Sequence, residues 1–266
     1  MERVEVDGLQ IAYERAGSGP PLVLVHGYVG DGPVTFRGQL DGLCDEFTVV
    51  AWDAPGAGAS SDPPEGFGLD GYADCLAGFV DRLGLGRPHL LGLSFGGILA
   101  LALYRRHPAA PRSLVLASAY AGWGGSLPAE DAAQRLRQAM VLADLPPEEF
   151  AGTLLPTMFA ASPPAEVVAA FGASIRAFHP VGFRAMARAS AGNVRDVLPR
   201  IQVPTLLLYG DADVRAPLPV AEDLHRSIPG ARLVLLPGVG HVTNIEAPEA
   251  FNEAVRSFLG DLPEGA

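Results

Sequence analysis

The run Gly92-Leu93-Ser94-Phe95-Gly96 sets a serine two residues from a glycine on either side. A serine on a very sharp strand-to-helix turn has strained backbone angles, and side chains at those flanking positions would collide with neighbouring chain. Ser94 would then project above a sheet at a helix N-terminus, reachable by a base and by a carbonyl group. A serine hydroxyl is a weak nucleophile until something removes its proton. Of the six histidines, His241 follows the apolar run Arg232 to Leu236 and the flexible segment Pro237-Gly238-Val239-Gly240, which places it in a loop at the same edge. His26 ends an earlier apolar run and is expected to organise the adjacent loop through its ring nitrogens. His89, His107, His179 and His225 have no comparable setting, although His179 is placed to face a pocket.

An imidazole base needs an orienting carboxylate, and Gly210-Asp211-Ala212-Asp213 offers two at the end of the apolar run Thr205 to Tyr209. Asp213 is preferred, because it stands where a side chain reaches back to the base; Asp211 is expected to tie the turn together. Held by Asp213, His241 would keep its proton on one nitrogen and present the other to Ser94. Transition-state charge needs donors too. The backbone N–H groups of Phe95, which follows the serine, and of Tyr28, in the turn His26-Gly27-Tyr28-Val29-Gly30, are the natural pair. Arg215 reads as a loop or surface contact rather than an oxyanion donor.

The elements that must position these groups follow from periodicity. Val4 to Val6 and Leu9 to Tyr13 flank Asp7-Gly8, a strong hairpin signal. Continuous apolar strands are expected at Pro21 to Val25, Thr48 to Trp52, His89 to Leu93, Ser113 to Ala117, Thr205 to Tyr209 and Arg232 to Leu236. Helices are expected between them: one through Phe36, Leu40, Leu43 and Phe47, then about 69–83, 95–107, 218–228 and 247–259. Such alternation implies a mostly parallel sheet with helices on both faces. The interval 120–199 breaks the rhythm with four helical candidates, at 128–143, 146–160, 163–178 and 181–191. It reads as a helical lid inserted into a core made of residues 1–119 and 200–266, over the strand ends where ligands of open α/β sheets bind.

Composition removes other classes. Formal net charge is −11 and all 19 basic residues are arginine. Nucleic acid is thus an unfavourable partner, and without lysine there is no P-loop, pyridoxal Schiff base or Ser-Lys dyad. Apolar runs are strand-sized, so no membrane span is implied, and the N-terminus lacks the pattern of a signal peptide, which suggests a cytoplasmic protein. Cys44 and Cys75 fall in helical patterns and have no spaced metal-ligand partners. Gly56-Ala57-Gly58-Ala59-Ser60 lacks the third glycine of a dinucleotide fingerprint and reads as a compact turn. Neither cofactor nor metal is expected.

The stretches His26-Gly27, Asp53 to Ser60, Gly92 to Gly96, Gly210 to Asp213 with Pro217 beyond, and Gly240-His241 together resemble the α/β-hydrolase superfamily. The resemblance spans nearly the whole chain and is to the small lidded enzymes that cleave esters, lactones and carbon–carbon bonds. In that family the second aspartate of such a G-x-x-D element is usually the triad acid, which implies Asp213. Its dehalogenases and epoxide hydrolases carry aspartate where this chain has Ser94, so their chemistry is disfavoured. Cofactor-free perhydrolases keep Ser, Asp and His. The leading expectation is hydrolysis of a carboxylic ester or lactone through an acyl-enzyme. A carbon–carbon bond hydrolase for a diketone-like metabolite is the alternative, although no basic anchor for such a substrate is evident. A non-enzymatic small-molecule binder on the same scaffold is the third reading. Tyr28, Met140, Met158, Phe159, Phe178 and His179 are the pocket candidates, for an apolar acyl or aromatic small molecule; the protein is expected to be a monomer or homodimer.

Overall fold

Asp7 and Gly8 turn the chain between β1 (Glu2–Val6) and β2 (Leu9–Ala16) with φ of 47° and 84°, the left-handed pair that a two-residue hairpin turn requires. The computed structural model describes residues 1–161 and 163–263. β3 (Pro21–Val25), β4 (Thr48–Trp52), β5 (His89–Leu93), β6 (Ser113–Ala117), β7 (Thr205–Gly210) and β8 (Arg232–Leu236) complete one sheet in the order β1-β2-β4-β3-β5-β6-β7-β8. The hairpin pairs antiparallel to β4, and the remaining neighbours are parallel. Every residue of β4, β5, β6 and β7 is buried. Their unbroken apolar runs reflect cover on both faces.

Crossover helices supply that cover: α1 (Gly32–Thr35), α2 (Arg37–Gly42), α3 (Gly68–Arg82) and α4 (Phe95–Arg106). The single helix expected through Phe47 is instead the short pair α1 and α2. Asp31 caps α1 by accepting from Val34 N, and Phe36, at φ −110° and ψ 24°, separates the two. Cys44 consequently lies half-buried in the turn after α2 rather than in a helix, whereas Cys75 is buried on α3.

Between β6 and β7 come α5 (Trp123–Ser126), α6 (Ala129–Leu142), α7 (Pro147–Leu154), α8 (Ala165–Arg176) and α9 (Pro180–Ser190), with 3-10 turns at Leu155–Thr157 and Arg195–Arg200. No strand interrupts them among the described residues. α10 (Leu218–Ser227), α11 (Thr243–Glu246) and α12 (Pro248–Gly260) finish the chain. The final residues of the expected core, 264–266, lie outside the described residues. One apolar cluster runs from Val6 and Leu22 of the sheet to Phe150, Phe171 and Phe183 of the insertion, so inserted helices and sheet share a core.

His26 and His89 are buried against that core. His26 Nε2 accepts from Ala54 N at 3.0 Å, so its proton sits on Nδ1, which faces Gly27 O at 2.6 Å. His89 Nδ1 meets Ser113 Oγ at 2.8 Å. Burial pushes each pKa down to about 4, with Arg112 adding to the effect at His89. Between pH 6.5 and about 4 the unfolded chain therefore takes protons that the folded chain refuses, and stability is lost as pH falls through that window. The loss is on the order of 3 kcal/mol for each fully shifted histidine. Asp53 runs the other way. Burial raises its pKa to about 6, so acidification below pH 6 favours the folded form at that one site. Two terms against one predict a urea midpoint that falls from pH 7 to pH 5; a midpoint that rises would contradict it.

Candidate active site

Ser94 stands between β5 and α4 at φ 54° and ψ −111°. Such backbone strain in a non-glycine residue costs about 1–3 kcal/mol and persists only where the surroundings enforce it. They do so here. A Cβ on Gly96 would lie 1.9 Å from Val25 O, and one on Gly92 would lie 2.2 Å from Gly96 O. Only glycine lets the turn pass this close to the end of β3. The Ser94 N–H donates to Ala117 O at 2.8 Å, and the Ser94 carbonyl accepts from Gly97 N and Ile98 N, which starts α4.

His241 Nε2 lies 3.0 Å from Ser94 Oγ, and His241 Nδ1 lies 2.9 Å from Asp213 Oδ2. The other carboxylate oxygen, Oδ1, accepts from Arg215 N and Ala216 N, both at 2.8 Å. Ser94 is 7% exposed, Asp213 4% and His241 4%. Burial alone would push the Asp213 pKa up; the charge and hydrogen bond of His241 and the two amides outweigh it, leaving the carboxyl below its ordinary value. An ionised Asp213 accepting from Nδ1–H leaves Nε2 free to accept the Ser94 proton. Asp211 is turned elsewhere: its Oδ1 accepts from Gly238 N at 2.6 Å and holds the loop that leads to His241.

The insertion grips the histidine loop directly. Met158 O accepts from His241 N at 2.9 Å and Val242 N at 3.2 Å, while Glu246 accepts from Gly240 N, Ala160 N and Ala161 N. Segment 158–161 therefore cannot swing away without disturbing the imidazole. Glu246 gave no sign of this in sequence, since its partners in the insertion, Ala160 and Ala161, lie far from it along the chain.

Tyr28, in the loop after β3, and Phe95, the first residue of α4, are the expected oxyanion donors. Among the described residues neither amide donates to another protein group. Gly27 packs against the serine, its ideal Cβ position being 3.7 Å from Ser94 Cβ. His26 and the Gly56 to Ser60 turn hold this loop from below. Asp53 accepts from Gly32 N and Ala59 N at 2.9 Å each, and Ser60 Oγ donates to Asp53 O.

A cavity of about 20 Å³ touches Ser94 and His241 and is walled by Tyr28, Val29, Thr35, Met158, Phe171 and Val242 among others. That is room for roughly one water. Of the expected pocket residues, the structure brings Tyr28 and Met158 to this cavity. Phe178 and His179 line a second small cavity that Tyr28 also lines; Phe178 stacks on Phe150 at 3.8 Å, and His179 Nδ1 pairs with Asp62 at 2.9 Å. Met140 and Phe159 pack against the core instead, with the Phe159 ring 6.1 Å from Phe171. Thr35 was not singled out by sequence, because it sits inside an apolar helical pattern, yet its buried Oγ1 has no partner. Arg215 is not a surface contact: it is half-buried and donates to Tyr28 Oη and Thr157 Oγ1. Among the described residues, no group of three or more His, Cys, Asp or Glu side chains is placed to hold a metal ion, and no helix is long and apolar enough to cross a membrane.

With this geometry in view, the sequence model for the alpha/beta hydrolase fold matches residues 20–248. The chain belongs to the alpha/beta hydrolase fold family. The human serine hydrolase BPHL is 29% identical over 265 residues, covering 97% of this chain and 85% of that protein. A thermophilic esterase from Thermogutta terrifontis superposes with a TM-score of 0.88 at 32% identity, covering 98% of each chain. The enol-lactonase from Burkholderia xenovorans LB400 superposes at 0.86 with 26% identity, covering 98% of this chain and 100% of that one. This member of the family shares its architecture with an esterase and an enol-lactonase.

Proposed function

We propose that this protein is a serine hydrolase that cleaves a carboxylic ester or lactone of a small substrate through an acyl-enzyme. One observation carries the reading: the unbroken line from the ionised Asp213 through His241 to Ser94 Oγ, at 2.9 and 3.0 Å, at the carboxyl ends of β5, β7 and β8. The similarity to an esterase and an enol-lactonase supports the same chemistry.

In this mechanism Ser94 Oγ attacks the carbonyl carbon as its proton passes to His241 Nε2. The developing oxyanion lies against the N–H groups of Tyr28 and Phe95, the latter at the start of α4, and the imidazolium is stabilised by Asp213. His241 then protonates the leaving alcohol or, for a lactone, the ring oxygen. Water attacks the acyl-enzyme with the same imidazole as base. No cofactor is required for these steps. The cavity holds about one water, so substrate entry needs helices of the insertion to part. The 158–161 segment stays with His241.

The test is turnover of a panel of 4-nitrophenyl acyl esters, lactones and a vinylogous diketone by wild type and Ser94→Ala. Ester or lactone turnover that disappears in Ser94→Ala, with an unchanged circular dichroism spectrum, is the expected result. Preferred turnover of the diketone would replace the reading with carbon–carbon bond hydrolysis. Tight ligand binding with no turnover by either protein would replace it with a binding role.

A further inference from the structure

Two guanidinium groups lie where the insertion meets the core, and neither faces a carboxylate. Arg215, two residues beyond Asp213, donates through Nη2 to Tyr28 Oη at 2.6 Å and through Nη1 to Thr157 Oγ1 at 2.8 Å. Its Nε is buried and has no partner among the described residues. Arg135 of α6 donates to Tyr120 Oη at 2.7 Å and to the Arg215 carbonyl at 3.2 Å, with its guanidinium 5.4 Å and 5.7 Å from the Tyr120 and Trp123 ring centres. Among the described residues neither forms an ion pair. Surface arginines do: Arg106 pairs with Asp74 and Arg256 with Glu46.

With a net charge of −11 carboxylates are abundant, yet these two half-buried arginines have none within ion-pair distance among the described residues. Partly burying a guanidinium with neutral partners alone is unfavourable, and an anion would complete the site. Tyr28 adds a donor. Its hydroxyl oxygen accepts from Arg215, and its own proton has no acceptor among the described residues. The Tyr28 ring lies under the Arg215 guanidinium, 5.9 Å from ring centre to guanidinium carbon, and forms a wall of the cavity that holds Ser94 and His241. A free donor beside an uncompensated guanidinium suits a carboxylate, which accepts in the plane of the arginine fork.

We infer that Arg215 and Tyr28 form an anion subsite, braced by Arg135, that takes a free carboxylate on the substrate. This rests on the ester or lactone reading and narrows it. The substrate class becomes an ester or lactone bearing a carboxylate about one phenol length from the scissile carbonyl, such as a monoester of a short dicarboxylic acid. Phe171 and Met158 supply apolar walls to the cavity at Ser94.

Paired substrates test it: the mono-4-nitrophenyl ester of glutaric acid against 4-nitrophenyl pentanoate, which has the same chain length and no charge. Wild type is expected to show the higher kcat/KM on the glutarate ester, chiefly through KM, with free glutarate a competitive inhibitor. Arg215→Gln is expected to lower the glutarate-to-pentanoate ratio of kcat/KM by about tenfold or more, and Tyr28→Phe to lower it in the same direction. An equal preference in wild type, or an unchanged ratio in a folded Arg215→Gln protein, overturns the subsite while leaving ester hydrolysis standing. If neither ester is turned over, a glutarate-induced rise in melting temperature that Arg215→Gln abolishes keeps the subsite and removes the ester reading, and no such rise removes both. Should Arg215→Gln fail to fold, the ratio in Tyr28→Phe and glutarate inhibition of wild type decide alone.

Discussion

Asp213→Asn is expected to lower kcat about 10⁴-fold while the protein stays folded. The asparagine oxygen keeps the two amide hydrogen bonds from Arg215 and Ala216, so the loop has no reason to move. Its NH₂ group then faces His241 Nδ1, where the carboxylate oxygen was. Two donors cannot share that contact, so the imidazole shifts its proton to Nε2 and points it at Ser94. A base whose free nitrogen faces away from the serine cannot take the hydroxyl proton. The check is kcat on the best ester found, beside a circular dichroism spectrum and a melting curve. Activity within tenfold of wild type would show that the carboxylate does not set the tautomer.

The second large effect falls on the turn itself. In Gly96→Ala the new methyl would sit 1.9 Å from Val25 O and 2.9 Å from His26 O. Neither contact is with a flexible side chain, so the end of β3 or the start of α4 must move, and with it the His26-Gly27-Tyr28 loop beside Ser94. The cost is expected at the upper end of single substitutions, about 3 kcal/mol or more, with esterase activity lost even at temperatures where the protein remains folded. Urea unfolding and the ester assay on the same preparation measure both. A fully active Gly96→Ala protein would mean that the close approach is not what shapes the site.

Much of this was legible in the residue order because buried parallel strands are written as unbroken apolar runs. β3, β4, β5 and β6 begin and end at the residues their composition marks and β7 extends one residue further, while the edge strand β8 keeps its bounds although only Leu236 of it is buried. Ser94 and His241 were legible for a related reason: each follows a strand and sits among glycines that a tight turn demands. Thr35, Glu246 and the partners of Arg215 were not. Thr35 lies within an apolar helical stretch, Glu246 acts on amides of the insertion, and Arg215 meets Tyr28 and Thr157 from distant parts of the chain. Such contacts arise from how the inserted helices lie on the sheet, and no local spacing encodes that placement. The pocket residues divided for the same reason: Met140, Met158, Phe159 and Phe178 make the insertion apolar, without saying which of them faces the serine.

The most direct measurement is covalent. The folded protein is treated with a fluorophosphonate, digested, and the adduct located by mass spectrometry, with Asp213→Asn and His241→Ala treated alongside. A single adduct on Ser94, formed far more slowly in both variants, is the result this account predicts. An adduct on another residue, or Ser94 left unmodified in folded wild type, would contradict it.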